Sequence, residues 1–180
     1  MRFTASVVLF AAAATASAKP LVIERSLASI TDVLNSVQTS IDGLDTAVKG
    51  LNTDAAPVLA ASNKLVGTIG SGTTTVQASA GLALFDALGL LAPVEGLMKH
   101  AQTLLVDLKG KKDIVQKNGF CQAIGTQISA INDKGNGLIN ATVSKVPEAY
   151  QGIAKGLAQG FADIFDDAQD NFSAGNCVNA

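Results

Sequence analysis

Residues 30–51 read ITDVLNSVQTSIDGLDTAVKGL, and this stretch decides the fold. Its apolar residues Ile30, Leu34, Val37, Ile41, Leu44, Val48 and Leu51 step by 4, 3, 4, 3, 4, 3. At about 3.6 residues per turn, that spacing sets all of them on one face of a helix. The pattern holds for about six turns, so it predicts a long amphipathic helix.

The same period continues outward from this helix. Asp54 ahead of Pro57 reads as an N-cap followed by proline in the first turn. A second helix then runs through Val58, Leu65, Val66 and Ile69. At Gly70-Ser71-Gly72-Thr73-Thr74-Thr75 it either breaks or continues loosely to about Ala83. Leu90, Val94, Leu97, Ala101, Leu104 and Leu108 define a third helix, with Pro93 near its start or kinking it. Asn118-Gly119 ends it in the manner of a left-handed C-cap. The fourth runs from about Phe120 through Ile124, Ile128, Ile131 and Leu138 to Lys145. Pro147 opens the fifth, with Glu148 in the first turn, where the helix dipole favours a carboxylate. Its stripe is Tyr150, Ile153, Leu157, Phe161, Ile164 and Ala168. Strand-like alternation is scarce, and short connections favour antiparallel neighbours. The expected architecture is all-α: an up-and-down bundle of five long antiparallel amphipathic helices, forming one domain over residues 19–180.

Composition narrows the function. The 180 residues are 48% hydrophobic but only 4% aromatic, with 17 glycines, one His and no Trp. A net charge of −2 gives no electrostatic footprint for nucleic acid. A lone histidine, His100, disfavours His-rich metal sites and most His-dependent catalysis. A chain this apolar buries a core, so disorder is excluded.

Met1 to Ala18 carries Arg2, a short apolar run and Ala16-Ser17-Ala18 before Lys19, the three regions of a secretory signal. The apolar run is too short for a transmembrane segment. In a secreted chain, Cys121 and Cys177 are expected to form a disulfide, and a loop of that length is worth about 4 kcal/mol in the chain-entropy model. Asn140-Ala141-Thr142 and Asn171-Phe172-Ser173 are glycosylation sequons. The C-terminus has no hydrophobic tail, so no glycolipid anchor is expected.

Little else points to chemistry. Gly152, Gly156 and Gly160 form a side-chain-free column, suited either to close helix packing or to lining a ligand. Asp163, Asp166, Asp167 and Asp170 share a face but lack calcium-loop spacing, and read as a solvated face partly paired with Lys109, Lys111 and Lys112. The chain has no nucleophile elbow, P-loop or dinucleotide fingerprint. No enzyme, cofactor or metal is therefore expected.

Several features occur together in one order. They are the signal, the heptads of the first helix, Asp54-Ala55-Ala56-Pro57 and Asp86-Ala87-Leu88-Gly89-Leu90-Leu91-Ala92-Pro93-Val94. Lys111-Lys112-Asp113 before Asn118-Gly119 and the two late cysteines complete the set. From about Leu21 to Val178 the chain resembles the fungal hydrophobic surface binding proteins and the related cell-wall galactomannoproteins. That resemblance implies a secreted or wall-associated, non-enzymatic bundle of five helices. The family appears in two guises. One encloses a long-chain fatty acid, arachidonate among them. The other adsorbs to hydrophobic surfaces and recruits a secreted polyester-degrading esterase. The chain departs from the cell-wall members in lacking a Ser/Thr-rich stalk.

A carrier of a fatty acid or similar amphiphile needs an apolar tunnel and a few polar groups for the head. The candidate polar residues are Ser62, Thr73, Gln77, Thr142 and Tyr150. Candidate walls are Leu84, Leu88, Leu91, Leu104, Ile128, Ile131, Phe161 and Phe165. A surface adsorber would instead expose its apolar area.

Overall fold

The computed structural model describes residues 19–180, with side chains from Ser26 onward. The signal segment lies outside the described residues. Five long helices account for most of the chain: α1 (Lys19–Lys49), α2 (Ala56–Ala78), α4 (Leu91–Gly110), α6 (Cys121–Val143) and α7 (Gln151–Asn171). Two helices of six residues each, α3 (Leu84–Gly89) and α5 (Lys112–Lys117), sit in the connections. A single 3₁₀ turn, Glu148–Tyr150, leads into α7.

From Ile30 at 0% exposure to Val48 at 1% the apolar stripe of α1 is buried, and Leu51 just beyond the helix is buried at 1%. Asp54 does cap α2, one residue earlier than an N-cap: its Oδ1 accepts from the Ala56 N–H at 2.8 Å, and Ala55 is the N-cap residue. The helix runs unbroken through Gly70–Thr75. The hydroxyls of Thr73, Thr74 and Thr75 donate back to the carbonyls of Ile69, Gly70 and Ser71. Gly72 admits Val33 of α1 so closely that an added Cβ would lie 2.6 Å from its Cγ1. Gly119 has φ +75°, the left-handed residue that lets Phe120 N–H reach Val115 O and closes α5.

The five long helices form a ring. α1 packs on α2 and α4, α2 on α6, α6 on α7, and α7 on α4. Direction alternates along the chain, as expected, but the neighbours are not all antiparallel. Ser40 meets Thr68 and Val33 meets Gly72, so α1 and α2 are antiparallel. Gly125 lies under Phe172 and Gly135 under Phe165, so α6 and α7 are antiparallel too. By contrast, Asp42 pairs with His100 and Asp107 with Lys49, which makes α1 and α4 parallel. Asn118 reaches Asn52 O at one end while Lys145 reaches Gln77 O at the other, so α2 and α6 are parallel. Met98 against Gly160 and Lys109 against Asp167 make α4 and α7 parallel. The cause is the connections: those containing α3 and α5 are long enough to cross the end of the bundle instead of turning back. A ring of five leaves space at its centre.

Polar ties close the outside. Lys49 holds Asp45 at 2.6 Å and Asp107 at 3.2 Å, and its pKa is raised, first by the hydrogen bond to Asp45 and then by that to Asp107. Cys121 and Cys177 are disulfide-bonded, with Cα atoms 5.6 Å apart and 56 positions between them in sequence. The bond pins the tail to the start of α6, where Asn179 Oδ1 also accepts from the Cys121 N–H.

Candidate functional site

The space inside the ring is a cavity of about 320 Å³, within the usual range for a small-molecule site. Each long helix contributes its apolar face. Leu34, Val37 and Ile41 come from α1, Leu65 and Ile69 from α2, and Val94, Leu97 and Ala101 from α4. The wall contains no charged side chain; its polar ones are Ser62, Gln127, Thr142 and Tyr150.

Most of the candidate residues meet here. Leu104 on α4, Ile128 and Ile131 on α6, and Phe161 and Phe165 on α7 line the interior. Ser62, on α2, is 3% exposed. Thr142 stands near the end of α6, where its hydroxyl donates to Leu138 O at 2.9 Å. Leu84, Leu88, Leu91 and Tyr150 line the other end of the cavity. Thr73 and Gln77 are not among the residues that line the cavity. The buried face of α2 runs Val58, Ser62, Leu65, Ile69, Gly72, Val76, and each of the two follows a buried position by one residue. Gln77 is exposed; Thr73, one turn after Ile69, is half-buried, and its hydroxyl donates to the Ile69 carbonyl rather than entering the cavity.

The glycine column matches neither suggested role at Gly152 and Gly156. Both are exposed, and a Cβ at either would meet nothing within 4 Å. Only Gly160 is packed, against Met98. On α7 it is Ala154 and Ala158 that line the cavity with small side chains. Asp167 pairs with Lys109 at 2.9 Å, whereas Lys111 reaches Leu51 O instead of a carboxylate. His100 is not idle: its Nδ1 meets Asp42 at 2.5 Å on the outer surface. Asn140 is exposed on α6, while the Asn171 amide is engaged by Asp167.

Sequence reading missed Gln127, which stands in the wall with its Oε1 buried and without a hydrogen-bond partner. Its spacing held the signal, three residues after Ile124 and four before Ile131, inside the apolar stripe of α6.

The two ends of the cavity differ. Beyond Val58 and Ile124, fully packed Leu51 and Val115 close one end. At the other, Leu88 at 50%, Tyr150 at 37% and Ile153 at 64% exposure both line the cavity and face solvent. That end is the mouth. Gln127 and Thr142 are about 22 Å apart along α6, so the lining spans roughly the length of an extended long-chain fatty acid.

Comparison with known proteins finds sequence relatives and a shared fold. The sequence profile of the family described as hydrophobic surface binding protein A matches residues 27–144. Cell wall mannoprotein 1 of Aspergillus flavus is 34% identical over 96% of the chain, and that of Aspergillus fumigatus 32% over 89%. The chain spans 63% and 56% of the length of these two relatives. Among solved structures, ligand-binding domain 2 of the Penicillium marneffei MP1 protein, complexed with multiple arachidonic acids, superposes with a TM-score of 0.79 at 21% identity. That match covers 82% of this chain and 96% of that one. AFMP4P in complex with palmitic acid gives 0.76 at 22% identity, over 82% and 99%. At these identities the likeness shows a shared fold.

Proposed function

The chain belongs to the hydrophobic surface binding protein A family, and on that premise we propose that it is a non-enzymatic carrier that holds one long-chain fatty acid or similar amphiphile inside the helical ring. The observation that carries the reading is an uncharged cavity about as long as such a chain, walled by five helices and open at one end. Each methylene moved from water into this wall is worth about 0.8 kcal/mol, so a long tail outweighs the cost of immobilising it. Structural neighbours complexed with arachidonic and palmitic acids support the same reading. Catalysis has no support in the wall, which contains no nucleophile beside a base; His100 is on the outer surface with Asp42. Residues 1–18 act as a secretion signal, 19–180 form the single carrier domain, and the protein resides outside the cell or in its wall, as the relatives' names suggest. Asn140 is the sequon open to a glycan.

Native mass spectrometry of the delipidated protein with added palmitic acid tests the carrier. One adduct per chain, lost on delipidation and restored by the acid, is expected. No adduct overturns it.

A second reading keeps a specific observation of its own. Phe85 is 82% exposed beside the mouth, and with Leu88 and Ile153 it forms an apolar rim that would adsorb to a hydrophobic surface and present the bundle to a secreted polyesterase. Adsorption to a hydrophobic bead that survives Phe85→Ser with Ile153→Ser would remove the rim from that role.

A further inference from the structure

An apolar cavity has no need of an amide in its wall, yet Gln127 is there. Its Oε1 is one of two buried side-chain polar atoms without a partner among the described residues. The other, Asp45 Oδ1, belongs to a carboxylate whose second oxygen pairs with Lys49, and Asp45 does not line the cavity. A buried carbonyl oxygen with no donor bears its desolvation cost uncompensated. Something else must supply the hydrogen.

The parallel course of α2 and α6 brings a second polar group to the same level. Asn52 lies beside Asn118 below, and Gln77 beside Lys145 above. That register sets Ser62 within a turn of Gln127 across the cavity wall. Both stand about one turn above the closed end, beyond Val58 and Ile124.

The rest of the wall decides the charge of what binds there. None of the lining residues of α1, α2, α4, α6 or α7 is charged, and Tyr150, far off at the mouth, is the only titratable one. A carboxylate at the depth of Gln127 would have no counter-charge, and burying an unpaired charge in an apolar site is prohibitive. A neutral O–H has no such cost. It donates to an amide oxygen, and a half-turn of the amide offers the NH₂ to the same head group.

We infer that Gln127 and Ser62 form an inner polar subsite for a neutral hydroxyl-bearing head, a protonated carboxyl or an alcohol. The amphiphile then lies head inward with its tail toward the mouth. This inference rests on the carrier reading and adds to it the orientation and protonation state of the guest.

The test uses the delipidated full chain with palmitic acid, 1-hexadecanol and methyl palmitate, which carries no donor. At a pH low enough that the free acid is protonated, acid and alcohol are expected to bind about tenfold more tightly than the ester, the worth of one buried hydrogen bond. Gln127→Met should abolish that difference while raising the melting temperature of the empty protein, since it removes a buried amide oxygen without a partner. Affinity for the acid should fall with rising pH, and affinity for the alcohol should not. A crystal of the wild-type complex with 2-bromohexadecanoic acid places the head without any mutation: the bromine should lie beside Gln127. Bromine beside Tyr150, or equal affinity for all three probes, overturns the subsite and leaves the carrier standing. No uptake of any probe overturns both.

Discussion

At the scale of single residues, the cavity depends on a place where a side chain is missing. Gly135 on α6 lies under the ring of Phe165, and an added Cβ would sit 2.7 Å from Cζ and 2.9 Å from Cε2. Phe165 lines the cavity, so Gly135→Ala must either strain the α6–α7 contact or push the ring into the lipid's space. Overpacking of this kind costs about 1–3 kcal/mol. The expected outcome is a folded protein with a lower melting temperature and markedly weaker palmitic acid uptake; unchanged uptake would mean the ring has room to move elsewhere. The contrast with Thr73 and Gln77 shows what could be read from letters. Stripe positions such as Ile128 and Phe161 follow from period alone, because each is fixed by its neighbours on the same helix. Gln77, one step off the stripe, cannot be placed that way, and Thr73 shares the stripe's face without reaching the cavity. Gln127 was hidden for the opposite reason: it lies within the stripe, but its side-chain type belongs to the surface.

At the scale of elements, legibility followed length. Each of the five long helices repeats its apolar face several times, so each was predictable, although the sequence left open whether α2 breaks at its glycine- and threonine-rich stretch; the helix continues there, with Val33 packed against Gly72. The helices α3 and α5 have six residues each, less than two turns, too short for a period to declare itself. They matter nonetheless, since α3 carries Leu84 and Leu88 to the mouth. The first turns of α7 form the other side of that mouth, and there the exposed Gly152 and Gly156 weaken the helix without serving a contact. Replacing glycine with alanine at an exposed helix interior is worth about 1 kcal/mol. The double variant Gly152→Ala with Gly156→Ala should therefore melt higher, and amide exchange over residues 151–158 should slow. If these turns open to admit a lipid, loading measured by stopped-flow will slow as well; an unchanged melting temperature with unchanged exchange would show that the glycines are not the weak point.

The whole molecule adds what no single helix holds. Which helices become neighbours depends on whether a connection turns back or crosses the end, and the spacing of apolar residues is silent on that. The expectation of antiparallel neighbours accordingly failed for α1/α4, α2/α6 and α4/α7, although every long helix was in the sequence. Closure of the ring then makes stability and function partly separable. The Cys121–Cys177 bond ties the tail to the closed end of the bundle, while neither cysteine lines the cavity. Its loss in the double variant Cys121→Ser with Cys177→Ser should cost about 4 kcal/mol on the chain-entropy account. A lipid that binds only the folded state contributes stability by mass action, about 2.7 kcal/mol at a hundredfold excess over its Kd. Because the two features share no wall residue, their effects should add. Thermal melts of wild type and the double variant, each with and without palmitic acid, check this. The stabilisation by palmitic acid should be the same in both proteins, with the variant's pair of transitions displaced downward together. A smaller gain in the variant would mean that the disulfide also shapes the closed end of the cavity, and that the tail is part of the container as well as of its fastening.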